Sequence, residues 1–289
     1  MLIKIALLQI NPFGNNLDLN MEKGLEYCDK AKLIGADIVL FPEMWSIGYE
    51  LSNHDKKTNI NELAITIEND WVVKFKNKAK ELNINIGLTF LQKNPSGGKP
   101  LNSIIIINSD GDIVLNYSKV FLCNFGIEEL NNENPDPDKF GCDLGCEAGN
   151  DFPVCKIVIN DNSITVGCMI CADREFPEAG IELYKNGAEI ILIPNCCEMD
   201  LARKAMLKTR TFETFSGVAL VNYPEPKNFG HSIAYDCIIW NENGEYQESL
   251  KAEGSNLEEI VLAEFDINKI RKFRESEQWR KNYKLNFGI

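Results

Sequence analysis

Two nine-residue stretches, G-A-D-I-V-L-F-P-E at 35–43 and G-A-E-I-I-L-I-P-N at 187–195, follow one pattern. Each has a glycine that ends a helix, an apolar run, and a proline that stops the run before a polar residue. A short apolar run bounded this way reads as a strand buried on both faces, which needs helices or a second sheet on each side. The echo therefore predicts two related α/β halves packed together. It also sets Glu43 and Asn195 at equivalent strand ends, where open α/β sheets hold their ligands.

The rest of the chain fits this plan. Runs rich in Ile, Val and Leu fall at 2–10, 37–41, 84–90, 102–107, 112–117, 154–159, 164–170, 189–193, 217–222 and 233–239. Helical spacing separates them, clearest for Met21, Leu25 and Cys28 and for Trp71, Phe75 and Ala79. S-D-G-D at 109–112 and E-N-G-E at 242–245 carry pairs that favour tight hairpins, one in each half, so the sheets are mixed. The segment 121–153 breaks the rhythm: it is rich in Asn, Asp, Pro and Gly, and loops of that length usually serve function. With no linker elsewhere, residues 1–289 are read as one α/β domain.

Composition excludes some partners. The 43 acidic against 30 basic residues give a formal charge of -13, unsuited to nucleic acid or an anionic membrane surface. The opening M-L-I-K-I-A-L-L-Q-I reads as a first strand rather than a signal or a membrane span. Ten cysteines in a chain of this length and ordinary core composition point to the reducing cytoplasm rather than to a disulfide framework.

Among those cysteines Cys171 stands apart. T-V-G-C-M-I-C-A-D-R-E at 165–175 runs along a strand and turns at once into charged residues, a corner that exposes a nucleophile on a rigid backbone. A thiol is mostly protonated at neutral pH, so a base or a cation must be brought to it. His54 lies in a polar stretch and His231 opens a strand; neither is the favoured base. Glu43, at the end of an apolar strand, and Lys119, in N-Y-S-K-V-F just past another, are the better pair.

F-P-E-M-W-S-I-G-Y, Y-S-K-V and G-C-M-I-C-A-D-R-E-F-P-E, in that order, resemble the three signature blocks of the nitrilase superfamily of carbon-nitrogen hydrolases. The resemblance spans nearly the whole chain and implies a four-layer α-β-β-α sandwich with a catalytic Glu43, Lys119 and Cys171. Glu43 would move protons, while Lys119 and the Ala172 N–H would stabilise the oxyanion as Cys171 attacks an amide carbonyl and forms a thioester. A second family glutamate lies between lysine and cysteine. F-G-I-E-E at 125–129 offers Glu128 for it, with Glu129, Glu133 and Glu147 as further candidates. No cofactor or metal is expected here, and relatives commonly pair through helices that flank the cysteine block, so a homodimer or larger homo-oligomer is expected. Here the C-terminal stretch with Phe273 and Trp279 is a candidate wrapping segment.

Trp45 and Tyr49, just past Glu43, either line a substrate pocket or cover the core. Arg174 either holds a substrate carboxylate or pairs internally with Glu175 or Glu178. Cys168 and Cys171, three apart on a strand, should face opposite ways and not form a redox pair. Zinc held by those two with Cys142 and Cys146 is the weaker alternative. The substrate is then a small amide, with N-carbamoyl amines and nitriles as alternatives on the same triad. A non-catalytic binding protein on this fold is the other functional class.

Overall fold

The computed structural model describes residues 1–49, 60–123, 143 and 145–276. In chain order the elements are β1 (Leu2–Gln9), α1 (Leu17–Leu33), β2 (Ile38–Leu40), α2 (Ile60–Leu63), α3 (Asp70–Leu82), β3 (Asn85–Gln92), β4 (Leu101–Ile107), β5 (Ile113–Ser118), β6 (Val154–Ile159) and β7 (Asn162–Cys168). There follow α4 (Pro177–Lys185), β8 (Ile190–Pro194), α5 (Leu201–Thr214), β9 (Gly217–Val221), β10 (Ile233–Tyr235), β11 (Leu250–Glu253), β12 (Glu259–Asp266) and α6 (Ile267–Ser276). Side chains cap the helices where the sequence supplies short polar residues. Asn16 accepts from Leu19 N at 3.1 Å, Asn69 from Trp71 N at 2.9 Å and Asp200 from Arg203 N at 2.9 Å, each satisfying an orphan helix donor.

Two six-stranded sheets run β12-β1-β2-β3-β4-β5 and β11-β10-β9-β8-β7-β6. Read from β6, the second repeats the first. Each has a parallel centre, β1-β2-β3 or β7-β8-β9, and antiparallel strands outside it. The two strands of the sequence echo, β2 and β8, hold the same place in their sheets. The Asp-Gly turn joins β4 to β5, and Gly111 takes a φ of +84° there, a conformation that costs glycine nothing.

Alternation along β1 explains its unbroken apolar run. Ile3, Ile5 and Leu7 face the second sheet, in one cluster with Ile164, Val166, Ile190 and Val218. Ala6 and Leu8 face α1 and α3, in a cluster with Cys28, Trp71, Phe75 and Ala79. On the far side Leu183 of α4 lies against Gly167 of β7, and α5 packs on β9 and β10. The layers are therefore helix, sheet, sheet, helix: the α-β-β-α sandwich.

Some expectations needed adjustment. The strand expected at 233–239 ends at Tyr235, where its register with β11 shifts. The Asn-Gly turn sits beyond it, closed by a bridge between Trp240 and Tyr246. Neither β11 nor β12 was foreseen. Phe273, proposed to wrap a neighbour, packs within its own chain at 5.8 Å from the Phe215 ring and 6.4 Å from Trp240; Trp279 lies outside the described residues. Among the described residues no helix is long and apolar enough to cross a membrane.

Candidate active site

Glu43 stands just past β2 at a sharp corner. Met44 takes a left-handed φ of 52° and a 3-10 turn, Trp45–Ile47, follows. The Thr89 hydroxyl pins the corner by donating to the Pro42 carbonyl and accepting from Trp45 N. Glu43 is fully buried. Its carboxylate accepts from Asn102 Nδ2 at 2.7 Å and from Lys119 Nζ at 2.9 Å, while its carbonyl accepts from the Tyr223 hydroxyl at 2.8 Å.

Lys119 follows β5 and is also fully buried. Its N–H donates to Asn102 O at 2.9 Å, and its carbonyl accepts from Gly149 N at 2.8 Å. Gly149 lies so close that a Cβ there would sit 2.2 Å from the Ser118 carbonyl oxygen, so only glycine fits. The ammonium donates to Asp143 Oδ2 at 2.6 Å as well as to Glu43. Asp143, buried in turn, accepts from Asn102 Nδ2 at 3.1 Å and Cys123 N at 2.9 Å. Burial pulls the Lys119 ammonium down, but the negative charges of Glu43, Cys171 and Asp143 outweigh it and hold the group well above the usual lysine range.

Cys171 opens the 3-10 turn Cys171–Glu175 with a left-handed φ of 47°. For a residue with a Cβ that conformation costs about 1–2 kcal/mol, offset by the bonds of the turn. Asp173 supplies several: its carboxylate accepts from Ile170 N at 2.8 Å, Phe121 N at 2.8 Å and the Tyr117 hydroxyl at 2.5 Å. It thereby ties the nucleophile's turn to β5 of the other sheet. Burial pushes the Asp173 carboxyl up to about 6, against those same hydrogen bonds. Hydrogen bonds from Cys123 and Cys197 hold the Cys171 thiol well below its ordinary value. Lys119 and Arg174 add to that, and burial opposes it.

Arg174 is fully buried and engaged by neighbours within the protein. It donates to Cys171 O at 2.5 Å, Asn195 Oδ1 at 2.8 Å and Cys197 Sγ at 3.0 Å, and pairs with Glu175 at 3.4 Å. Asn195, buried at the end of β8, continues this network to Cys197 O and Asn222 Oδ1, each at 3.1 Å. Trp45 is a core residue: its ring lies 5.6 Å from Phe41 and its indole N–H donates to Asn20 O at 3.0 Å. Tyr49, half-buried, packs at the edge of the same core, and Ala172 is half-buried beside Cys171.

Glu128, Glu129, Glu133, His54 and Cys142 lie outside the described residues. Glu147 is exposed and accepts from Asn94 at 3.0 Å, and His231 pairs with Glu253 at 3.1 Å. Among the described residues, the carboxylate that reaches Lys119 alongside Glu43 is Asp143, which was not among the acids the sequence offered. Its signal was an acid between two glycines, G-C-D-L-G, in the polar excursion. Asn102 and Tyr223 were missed too; a polar residue opening the otherwise apolar run L-N-S-I-I-I-I was the available cue for the first. The nine described cysteines are free, and among the described residues no group of three or more His, Cys, Asp or Glu side chains could hold a metal ion.

Known proteins share this fold. A carbon-nitrogen hydrolase from Helicobacter pylori G27 superposes with a TM-score of 0.79 at 18% identity, over 99% of this chain and 97% of that one. The Caenorhabditis elegans NitFhit protein gives 0.75 at 21%, over 98% and 65%. A variant amidase from Nesterenkonia sp. AN1, whose active-site cysteine carries the acetamide moiety of fluoroacetamide, gives 0.70 at 18%, over 97% of each chain. At these identities the likeness speaks for the fold. In sequence, a formamidase of Bacillus cereus (strain G9842) is 28% identical over 178 residues, 61% of this chain and 46% of the formamidase. A formamidase of Bacillus thuringiensis (strain Al Hakam) is 28% identical over 63% and 48%, so the match spans under half the length of these relatives. The family model described as carbon-nitrogen hydrolase matches residues 4–275. The chain belongs to the carbon-nitrogen hydrolase family.

Proposed function

We propose that this protein hydrolyses a small non-peptide amide through a thioester on Cys171. The observation that carries the reading is the buried Glu43–Lys119 pair at 2.9 Å beside a thiol held well below its ordinary value at a left-handed corner. The Cys171 sulfur attacks the carbonyl carbon, and Lys119 with the Ala172 N–H faces the oxygen that becomes negative. Glu43, having taken the proton of the Cys171 thiol, gives it to the leaving nitrogen, which departs as ammonia or an amine. Glu43 then takes a proton from water, which attacks the thioester, and a carboxylic acid leaves as the thiolate returns. The formamidase and amidase relatives support an amide over other substrates.

Asp143 takes the part for which Glu128 was the sequence candidate. Its carboxylate accepts from Lys119 alongside Glu43, so the ammonium is held by two acids rather than drawn onto one. Lys119 therefore stays charged and stationary while the substrate carbonyl develops its negative oxygen.

The protein is further read as a cytoplasmic homodimer or larger homo-oligomer of one domain, with no cofactor. The test of function is a panel of small amides, N-carbamoyl amines and nitriles with ammonia detection. Turnover of an amide that disappears in Cys171→Ala supports the reading. Preference for a nitrile or a carbamoyl amine moves the substrate class, and an intact fold with no turnover on any of them favours a binding protein.

A further inference from the structure

Asn102 is the second residue of β4 and only 1% exposed. A buried carboxamide in an apolar strand is costly unless its N–H groups are used, and both are. Nδ2 donates to Glu43 Oε1 at 2.7 Å and to Asp143 Oδ1 at 3.1 Å, the two acids that also hold Lys119. Turned over, the carboxamide would set its oxygen against both carboxylates, so the acids fix its orientation. Its main chain is held as well: it pairs with Leu91 of β3, and its carbonyl accepts from Lys119 N at 2.9 Å. An uncharged donor thus reaches both acids from a strand rather than a loop, where its position is well determined.

We propose that Asn102 is a positioning residue that confines the moving proton to Oε2 of Glu43. Oε1 accepts from Asn102 at 2.7 Å and from Lys119 at 2.9 Å at once, which uses both of its lone pairs. A proton on Oε1 would break one of these bonds, whereas a proton on Oε2 breaks neither. The thiol proton of Cys171 therefore arrives at Oε2 and leaves from Oε2 to the departing nitrogen, with no net gain or loss at Glu43. In the second half the same oxygen takes a proton from the attacking water and keeps it as the Cys171 thiolate returns. The pair of Glu43 and Cys171 then holds one proton, as it did at the start.

The choice of an amide at this position matters. A second cation would favour the carboxylate form of Glu43 so strongly that it would take up a proton poorly, and an aspartate would set three acids around one ammonium. A neutral donor does neither. Loss of the Asn102 N–H groups has two consequences. Oε1 becomes able to compete with Oε2 for the proton, so delivery to the leaving nitrogen suffers. The carboxylate form of Glu43 also loses a hydrogen bond that favours it, so the pair binds its protons more tightly.

This role rests on the hydrolase reading given above, and the two fail separately when tested. In Asn102→Ala, with the fold checked by circular dichroism, kcat on the amide that the wild type prefers should fall by about a hundredfold, with KM changed by less than about threefold. The burst of p-nitrophenolate from p-nitrophenyl acetate, a leaving group that departs without a proton, should fall by less than about threefold. The bell-shaped profile of kcat/KM should move to higher pH, its two apparent pKa values summing to about one unit more. Should Asn102→Ala not fold, Asn102→Ser, which keeps one donor, carries the same comparison with smaller changes in the same directions. Equal losses on amide and ester, or a profile that stays in place, mean a structural role alone and overturn the proposal. The wild type gives a reading that needs neither a variant nor turnover: the Asn102 Nδ2 proton signals in NMR should shift as the Glu43 and Cys171 pair titrates between about pH 4 and about pH 9, and signals that stay fixed overturn it. A wild type that turns over no amide defeats the hydrolase reading, and those signals then decide this inference by themselves.

Discussion

Cys171 differs from the other described cysteines in the charge and hydrogen bonds around it. Burial pushes the thiols of Cys28 and Cys168 up, while Cys123, Cys197 and the nearby cations pull Cys171 down. Iodoacetamide at pH 7 is therefore expected to label Cys171 first, and equal labelling of several thiols would contradict the mechanism. Cys171→Ala should abolish turnover with the fold retained by circular dichroism, and Cys171→Ser should be nearly as inactive because a hydroxyl is far harder to deprotonate. At Lys119 the question is which acid matters. Asp143→Asn should lower kcat by about a hundredfold, the scale of losing one aligned electrostatic group, and Glu128→Gln should lower it less. The reverse ranking returns the role to Glu128. That Glu43, Lys119 and Cys171 stood out in the sequence reflects three ordered motifs. Asp143 did not, because its partner Lys119 is 24 residues away along the chain and no periodicity links them. Arg174 and Asn195 were visible as polar residues beside strand ends, but whether such a group faces a pocket or an internal network depends on the turn that follows, which local pattern does not encode.

Elements hold these residues to one another, and two contacts can be tested. The segment carrying Gly149 lies on the end of β5, and a methyl group there would meet the Ser118 carbonyl at 2.2 Å. Gly149→Ala should push β5 and Lys119 apart, costing activity by about tenfold or more and stability by about 1–3 kcal/mol, read by kcat and urea unfolding. Asp173 joins β5 to the nucleophile's turn with its carboxyl raised from 3.8 to about 6 by burial. The folded state holds this proton more tightly than the unfolded chain does. The group's favourable contribution is therefore fully present below about pH 4 and lost as pH rises through about 6, an amount on the order of 3 kcal/mol. The stability gap between wild type and Asp173→Asn should accordingly shrink from pH 4 to pH 7, and a gap that widens would contradict it. The same scale shows what pattern could and could not reveal. β2 and β8 were legible because both faces are buried. β11 was not, because Leu250–Glu253 is a four-residue edge strand with exposed side chains. In β12 only Val261, Ala263 and Phe265 are buried, too few to stand out from a helical stretch.

In the whole molecule, the repeated strand order puts Glu43 and Lys119 in the half built on the first sheet and Cys171 in the half built on the second, so the site exists only where the halves meet. Self-association belongs to the same scale. Phe176 and Ile181, at the start of and along α4, are each 41% exposed, and they follow Cys171 closely. Light scattering is expected to give a dimer at micromolar concentration that Ile181→Asp splits; a wild-type monomer would count against it. The exchange of outer strands has a consequence for how the protein is made. β12 pairs with β1 from Leu2↔Asp266 to Gln9↔Glu259, so β1 is closed by a strand that leaves the ribosome long after it. Glu43, Lys119 and Cys171 have all been synthesised before that partner arrives, while the edge of β1 still stands open. A nascent chain arrested before residue 259 should then lack the preferential alkylation of Cys171, and the timing of translation, more than the chemistry of the triad, sets the moment at which the thiol becomes reactive.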